Sequence, residues 1–142
     1  MRTYITDFIP WGKTYCFSFD KYNCFFRRMG ICSLWNMILP ADNKKYEKWE
    51  KQYCPTLASS ILQQGFFQAA DDVTVIKNAC GHYCVEEGQH RICVCGRLKV
   101  PLKVVYLESN VECIICNRSK YGGVRGKLSY MLRSKTEVFI KL

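Results

Sequence analysis

The chain has 142 residues, of which 49% are hydrophobic and 14% aromatic. This composition predicts one domain with a substantial core and excludes an intrinsically disordered chain. No run of about 18 apolar residues is present, which excludes a membrane-spanning helix. The formal net charge is +9, and the basic tail at residues 118–142 suggests an acidic partner: nucleic acid, an acidic protein surface or nuclear import machinery. A solvated lysine-rich surface is the alternative.

The ten cysteines are well above ordinary usage. The N-terminal sequence MRTYITDFIPWGKTYCF lacks the apolar core of a secretory signal. We therefore expect a reducing location, the nucleus or the cytoplasm, where clustered cysteines more often bind metal than form disulfides. A secreted scaffold held by disulfides is the alternative.

Residues 1–79 predict an aromatic-rich α/β part of a single domain that covers residues 1–142. Tyr15, Phe17 and Phe19 alternate as in a half-buried strand. The apolar block SLWNMIL at residues 33–39 follows, with Trp35 near its centre.

Two helices are predicted next, and they form a small helical pair. Asp42 is a suitable N-cap for a helix over residues 43–53, which Pro55 ends. A second helix begins at Thr56. Its packing stripe consists of Leu57, Ile61, Leu62 and Phe66.

A β-rich region follows from Val73 to about residue 115. The segments HYCV and HRICVC flank a turn at residues 86–89, which predicts a hairpin. The segment LKVPLKVVYLE predicts another strand, whose first half Pro101 confines to a sheet edge. Together with the helices, these strands predict an α+β fold with a mixed, mostly antiparallel sheet.

Residues 80–116 contain a Cys/His knot of metal-ligand type. Zinc prefers four thiolate or imidazole ligands at tetrahedral corners, and closely spaced ligands on separate turns can share one ion. The spacing predicts one Zn2+ site made of Cys84, Cys93, Cys113 and Cys116, with His82, Cys80 and Cys95 as alternates. Two sites sharing this set, unliganded core cysteines and disulfides are the alternatives.

The sequence favours a non-catalytic protein. A zinc deaminase needs His-x-Glu followed by Pro-Cys-x-x-Cys, whereas His82 is followed by Tyr83 and Cys84. The glycines at 122–123 lack the spacing of a phosphate-binding loop. A thiol redox protein is a third possibility, for which Cys113 and Cys116 are the candidate pair.

The segment 117–142 is strongly basic, with seven Lys and Arg residues against Glu137 alone. Within it, apolar residues at helical spacing predict a C-terminal amphipathic helix. These residues are Val124, Leu128, Met131 and Leu132.

Several of these features occur together, and in this order, in one known family. The block SLWNMIL, the knot GHYCVEEGQHRIC and the CIIC that leads into KYGGVRGKLSYMLRSK resemble the adenovirus early-region-four thirty-four-kilodalton protein family. The resemblance covers roughly residues 33–135, in patches. The matching positions are Trp35, Met37, Leu39, His82, Cys84, Cys93, Cys113, Cys116 and the segment 125–133.

The resemblance implies a nuclear viral early protein that acts as an adaptor. Family members recruit a host cullin–elongin ubiquitin ligase and, with a companion viral protein, direct host factors to degradation. In this chain Trp35, Arg125, Lys127 and Arg133 would then contact partners. The rival hypothesis is a zinc-dependent nucleic-acid-binding module in which the basic tail contacts phosphates.

Overall fold

A computed structural model describes residues 2–18, 48–64, 72–121 and 137–142. These ranges contain six strands and three helices. In chain order they are β1 (Thr3–Phe8), β2 (Thr14–Ser18), α1 (Lys48–Gln64), β3 (Val73–Lys77), β4 (Tyr83–Glu87), α2 (Gln89–Leu98), β5 (Leu102–Glu108), α3 (Ile114–Tyr121) and β6 (Glu137–Lys141).

The six strands form one sheet in the order β1-β5-β3-β4-β2-β6. The pairs β1–β5, β3–β4 and β2–β6 are antiparallel, whereas β3–β5 and β2–β4 are parallel. The predicted α+β class with a mixed, mostly antiparallel sheet is therefore confirmed.

The main core lies between one face of the sheet and helices α1 and α2. Val73, Val75 and Val104 are almost fully buried on the sheet side, and Ile61 and Ile92 on the helix side. Their burial removes large apolar surfaces from water, at about 1.5–3 kcal/mol for each side chain. None of the helices in the described ranges is long and apolar enough to cross a membrane.

Helix α1 differs from the predicted pair, because it continues through Pro55 as one helix to Gln64. Proline inside a helix removes one backbone hydrogen bond and costs about 3 kcal/mol. Ala58 and Ile61, on the buried side of α1, supply packing that offsets this cost. Leu62 is 62% exposed, so it does not belong to the packing stripe in which it was expected.

The predicted second strand of the hairpin, HRICVC, is instead helix α2. Gly88 ends β4 with a φ of 89° and begins the helix, a conformation that glycine adopts without steric cost. Gln89, Ile92 and Gly96 are buried at helical spacing. The Gln89 amide also pairs with the backbone of Ser18 through two hydrogen bonds of 2.8 and 3.0 Å, which fixes α2 to the end of β2.

Two further predictions are wrong in the region from Pro101 onward. Strand β5 begins after Pro101 and pairs on both sides, with β1 and β3, so it is not an edge strand. The CIIC segment enters helix α3 rather than extending the β-rich region. Strand β6, which was not predicted from the sequence, is the last strand of the sheet and lies beside β2.

The opposite face of the sheet carries a second, smaller core. Cys16, Cys113 and Ile115 are buried there, and Cys80, Cys84 and Cys116 pack against them. Strand β2 is therefore buried on both faces rather than half-buried, since Tyr15 and Phe17 face the main core. Residues 19–47, 65–71 and 122–136 lie outside the described residues, and with them the SLWNMIL block, Asp42, Phe66 and the predicted C-terminal amphipathic helix.

Candidate metal centre

Parallel pairing of β3 and β5 creates the site. Lys77 and Glu108, the last residues of the two strands, are partners in the register. The segments that follow both strands therefore emerge at the same edge of the sheet. The first segment carries Cys80 and His82 into β4, and the second carries Cys113 and Cys116 into α3.

Backbone hydrogen bonds hold these two segments together. Ser109 N–H donates to the Lys77 carbonyl at 2.9 Å, and Ala79 N–H donates to the Val111 carbonyl at 3.0 Å. The Cys113 N–H donates to the sulfur of Cys80 at 3.4 Å. Backbone donors aimed at a cysteine sulfur favour its thiolate form, which is the form that binds metal.

Asn78 fixes the tight turn that presents Cys80 and His82. Its backbone N–H donates to the His82 carbonyl at 2.9 Å, and its carbonyl accepts from Gly81 N–H at 2.9 Å. Its side-chain Nδ2 donates both to the same His82 carbonyl at 3.1 Å and to Cys84 Sγ at 3.0 Å. Gly81 has a φ of 81°, which places the turn in the region where glycine is preferred.

The ligand atoms of Cys80, His82, Cys113 and Cys116 all lie within 4.8 Å of one another. His82 Nδ1 is 3.4 Å from Cys116 Sγ and 3.8 Å from Cys113 Sγ. A tetrahedral ion about 2.3 Å from sulfur and about 2.0–2.1 Å from nitrogen would hold such a pair about 3.6 Å apart. The four residues can therefore hold a metal ion with little rearrangement.

The electrostatics of the cluster show why an ion would suit it. Burial raises the pKa of Cys113 to about 12 and also raises the pKa of Cys116. Burial also raises the pKa of Cys80, but hydrogen bonds from the backbone of Cys113 and His82 outweigh it and lower the value to about 7. A bound cation deprotonates coordinating thiols outright, so it would remove the cost of placing three sulfurs together.

Aromatic and ionic contacts surround the four residues. The ring of His82 lies against Phe139 of β6, with centroids 4.4 Å apart. Arg118 Nη1 is 2.9 Å from Glu137 Oε2, which ties α3 to the start of β6. Lys120 forms a second ion pair with Glu112, next to Cys113. Val111, Ile114 and Phe139 expose 61%, 41% and 41% of their surfaces in this region.

The structure brings together Cys113 and Cys116 of the predicted ligand set with the alternates Cys80 and His82. Cys84 lies in the same small core but outside the group of four. A hydrogen bond from the Cys16 thiol, with a second from Asn78, lowers the pKa of Cys84 to about 6, although burial opposes this shift.

Cys93 and Cys95 lie elsewhere, on helix α2 beside the main core. Arg97 Nε donates to Cys93 Sγ at 3.3 Å, and burial raises the pKa of Cys95 to about 12. His90, in the same helix, is 3.4 Å from Cys54 Sγ of α1. None of the eight cysteines within the described ranges forms a disulfide.

A sequence signal for the observed grouping does exist. Cys80-Gly81-His82 follows β3 after two residues, and Cys113 and Cys116 follow β5 after a short turn. The expected partner-binding residues Trp35, Arg125, Lys127 and Arg133 lie outside the described residues.

Comparison with protein-family models, characterised proteins and solved structures finds no match for this chain.

Proposed function

We propose that this chain is a non-catalytic adaptor protein whose fold depends on a structural zinc ion bound by Cys80, His82, Cys113 and Cys116. The convergence of these four donor atoms within 4.8 Å carries the proposal. Three sulfurs and one imidazole are a preferred tetrahedral ligand set for zinc. Four protein ligands leave no position for water, which is the arrangement of structural rather than catalytic zinc.

The ion would join two segments that are far apart in the sequence. It would fasten the turn between β3 and β4 to the start of α3, and so fix the face on which Cys16 and Cys84 lie. Structural zinc contributes on the order of 10 kcal/mol to the folding of small domains. Residues 78–82 and 109–121 should therefore loosen first when zinc is removed.

Metal analysis of two matched variants tests the zinc assignment. Purified wild-type protein is expected to hold one zinc per chain and to lose thermal stability on chelation. Cys80→Ser should lose most of the zinc, whereas Cys93→Ser, a change at another half-buried cysteine, should keep it. The assignment is contradicted if Cys93→Ser loses the metal and Cys80→Ser retains it, or if wild type binds none.

The adaptor role rests on the resemblance noted in the sequence and on the surface beside the metal centre. Val111 and Ile114 are exposed apolar side chains on a segment that the ion would fix, and the partly exposed Phe139 of β6 lies against the His82 ring. Exposed apolar groups on a rigid frame suit contacts with other proteins. The partners we propose are host proteins, among them cullin–elongin ligase components, and a companion viral protein in the host nucleus.

Affinity capture from host cells tests this role. Wild-type protein is expected to capture elongins, and Ile114→Ser should reduce the yield. Leu62→Ser is the matched control, because it removes an exposed aliphatic side chain from a different helix, α1. Absence of elongins from the wild-type sample counts against the proposed partner. Equal capture by both variants counts against the proposed surface.

The second candidate is a zinc-dependent nucleic-acid-binding module. The seven basic residues of the segment 117–142 favour this function. Two of them, Arg118 and Lys120, are already paired with carboxylates, so fewer charges remain for phosphate. Binding to nucleic acid should weaken about 10³–10⁵-fold between about 50 and 200 mM salt if six or more phosphates are contacted. The affinity of an apolar contact with a protein partner should fall much less over the same salt range.

A further inference from the structure

Cys16 and Cys84 form a pair of thiols behind the metal centre that the proposed function does not use. They are direct partners in the parallel pairing of β2 with β4. The two side chains pack in the same small core, and both are free thiols. Both side chains therefore lie on the same face of the sheet, next to each other across the strand pair.

The backbone geometry permits a covalent link between them. Neighbouring strands lie about 4.7–4.9 Å apart, and disulfides join residues whose Cα atoms are about 4.4–6.8 Å apart. Residues that are partners in register meet this requirement without a shift of either strand. Disulfide formation would then require the two Cβ atoms to approach to about 3.5–4.5 Å and the side chains to rotate until the sulfurs bond.

The two thiols differ in their access to solvent. Cys16 is only 8% exposed and packs with Cys113 and Ile115, whereas Cys84 is half-buried. A small oxidant would therefore reach Cys84 first. Cys16, its neighbour on β2, is the thiol placed to react with the product.

We propose that Cys16 and Cys84 are a redox-active dithiol that a peroxide oxidises to an intrachain disulfide. The Cys84 sulfur attacks one peroxide oxygen, the O–O bond breaks, and a sulfenic acid forms while the other oxygen leaves as water. The Cys16 sulfur then attacks the Cys84 sulfur, the S–O bond breaks, and a second water leaves with the Cys16 proton. Two thiols are oxidised and one peroxide is reduced to two waters.

Oxidation of Cys84 would also weaken the turn that presents Cys80 and His82, because Asn78 contacts both Cys84 and this turn. Its Nδ2 donates to Cys84 Sγ and to the His82 carbonyl, and a disulfide sulfur accepts hydrogen bonds poorly. The disulfide would therefore free one of the two contacts that hold the Asn78 side chain. This consequence rests on the zinc site proposed above, but the dithiol itself does not.

Peptide mapping of oxidised protein tests the proposal. Reduced, zinc-loaded protein is treated with hydrogen peroxide, the remaining thiols are alkylated, and the digest is analysed by mass spectrometry without reduction. A peptide pair linking Cys16 to Cys84 is expected, and dithiothreitol should reverse it. Absence of that link, or a different cysteine pair as the main product, overturns the proposal.

Matched variants separate the dithiol from general thiol oxidation. Cys84→Ala should abolish the disulfide, whereas Cys95→Ala, which removes a buried thiol of the main core, should retain it. Unchanged disulfide yield in Cys84→Ala contradicts the assignment, and the wild-type map decides the question if that variant fails to fold. Zinc transfer to a chelator, measured separately, should be about tenfold faster after oxidation. An unchanged rate would remove the coupling through Asn78 but leave the dithiol intact.

Discussion

Replacing Asn78 with alanine should weaken both the fold and metal binding. The change removes the hydrogen bonds from Nδ2 to the His82 carbonyl and to Cys84 Sγ. A hydrogen bond between neutral groups contributes about 0.5–1.5 kcal/mol, and one to a charged group about 1.5–3 kcal/mol. Because the pKa of Cys84 is lowered to about 6, its sulfur is the charged acceptor at neutral pH. The expected loss in the free energy of unfolding is about 2–4 kcal/mol.

Two assays measure this effect separately. Urea unfolding of the zinc-loaded protein gives the change in free energy, and competition with a chromophoric chelator gives zinc affinity, which should fall about 10–100-fold. Asn117→Ala is the control, since Asn117 is exposed on α3 beside Cys116 and should leave both quantities unchanged. Wild-type zinc affinity in Asn78→Ala would refute the claim that this side chain organises the metal turn.

Three further changes test other parts of the structure. Gly88→Ala should destabilise the protein by about 2–5 kcal/mol, since its Cβ would lie 2.8 Å from Val73 Cγ2 at a φ of 89°; denaturant unfolding measures the loss. Gly96→Ala should destabilise the full chain, because its Cβ would lie 2.8 Å from Leu142 Cδ1. In a chain ending at Lys141 the same substitution should stabilise the protein by up to about 1 kcal/mol. A stability change of the same sign in both chains would contradict the contact with Leu142. Burial lowers the pKa of His90, so the unfolded chain takes up its proton first as pH falls. Stability should therefore decrease as pH falls below the ordinary value of 6.5, and His90→Gln should show a shallower loss in thermal unfolding from pH 7 to 5.

Sequence pattern predicted strands β2, β3, β4 and β5 but not β1 or β6. Alternating aromatics mark β2, and β-branched runs mark β3 and β5. Helix α2 was missed because Ile92 and Val94 alternate like strand residues, while Gln89, Ile92 and Gly96 also fit a helix. The left-handed turn at Gly88 and the packing against α1 favour a helix over a strand in this segment. The apolar pattern of the segment alone does not show either feature.

The candidate site could be placed in the right segment but not assembled from spacing alone. Residues 80–116 were expected to hold the metal ligands, and four donors from this segment converge. Which cysteines meet depends on β3 and β5 being parallel neighbours, with β4 and α2 between them in the sequence. Spacing does not reveal that pairing, so the predicted ligand set included Cys93 and kept Cys80 only as an alternate.

X-ray absorption at the zinc edge is the most direct test of the metal centre. We expect three sulfurs at about 2.3 Å and one imidazole nitrogen at about 2.0–2.1 Å from the ion. Cys80→Ser should replace one sulfur in that shell or lose the metal. A shell of four sulfurs, or one made mainly of oxygen and nitrogen, would contradict the site formed by Cys80, His82, Cys113 and Cys116.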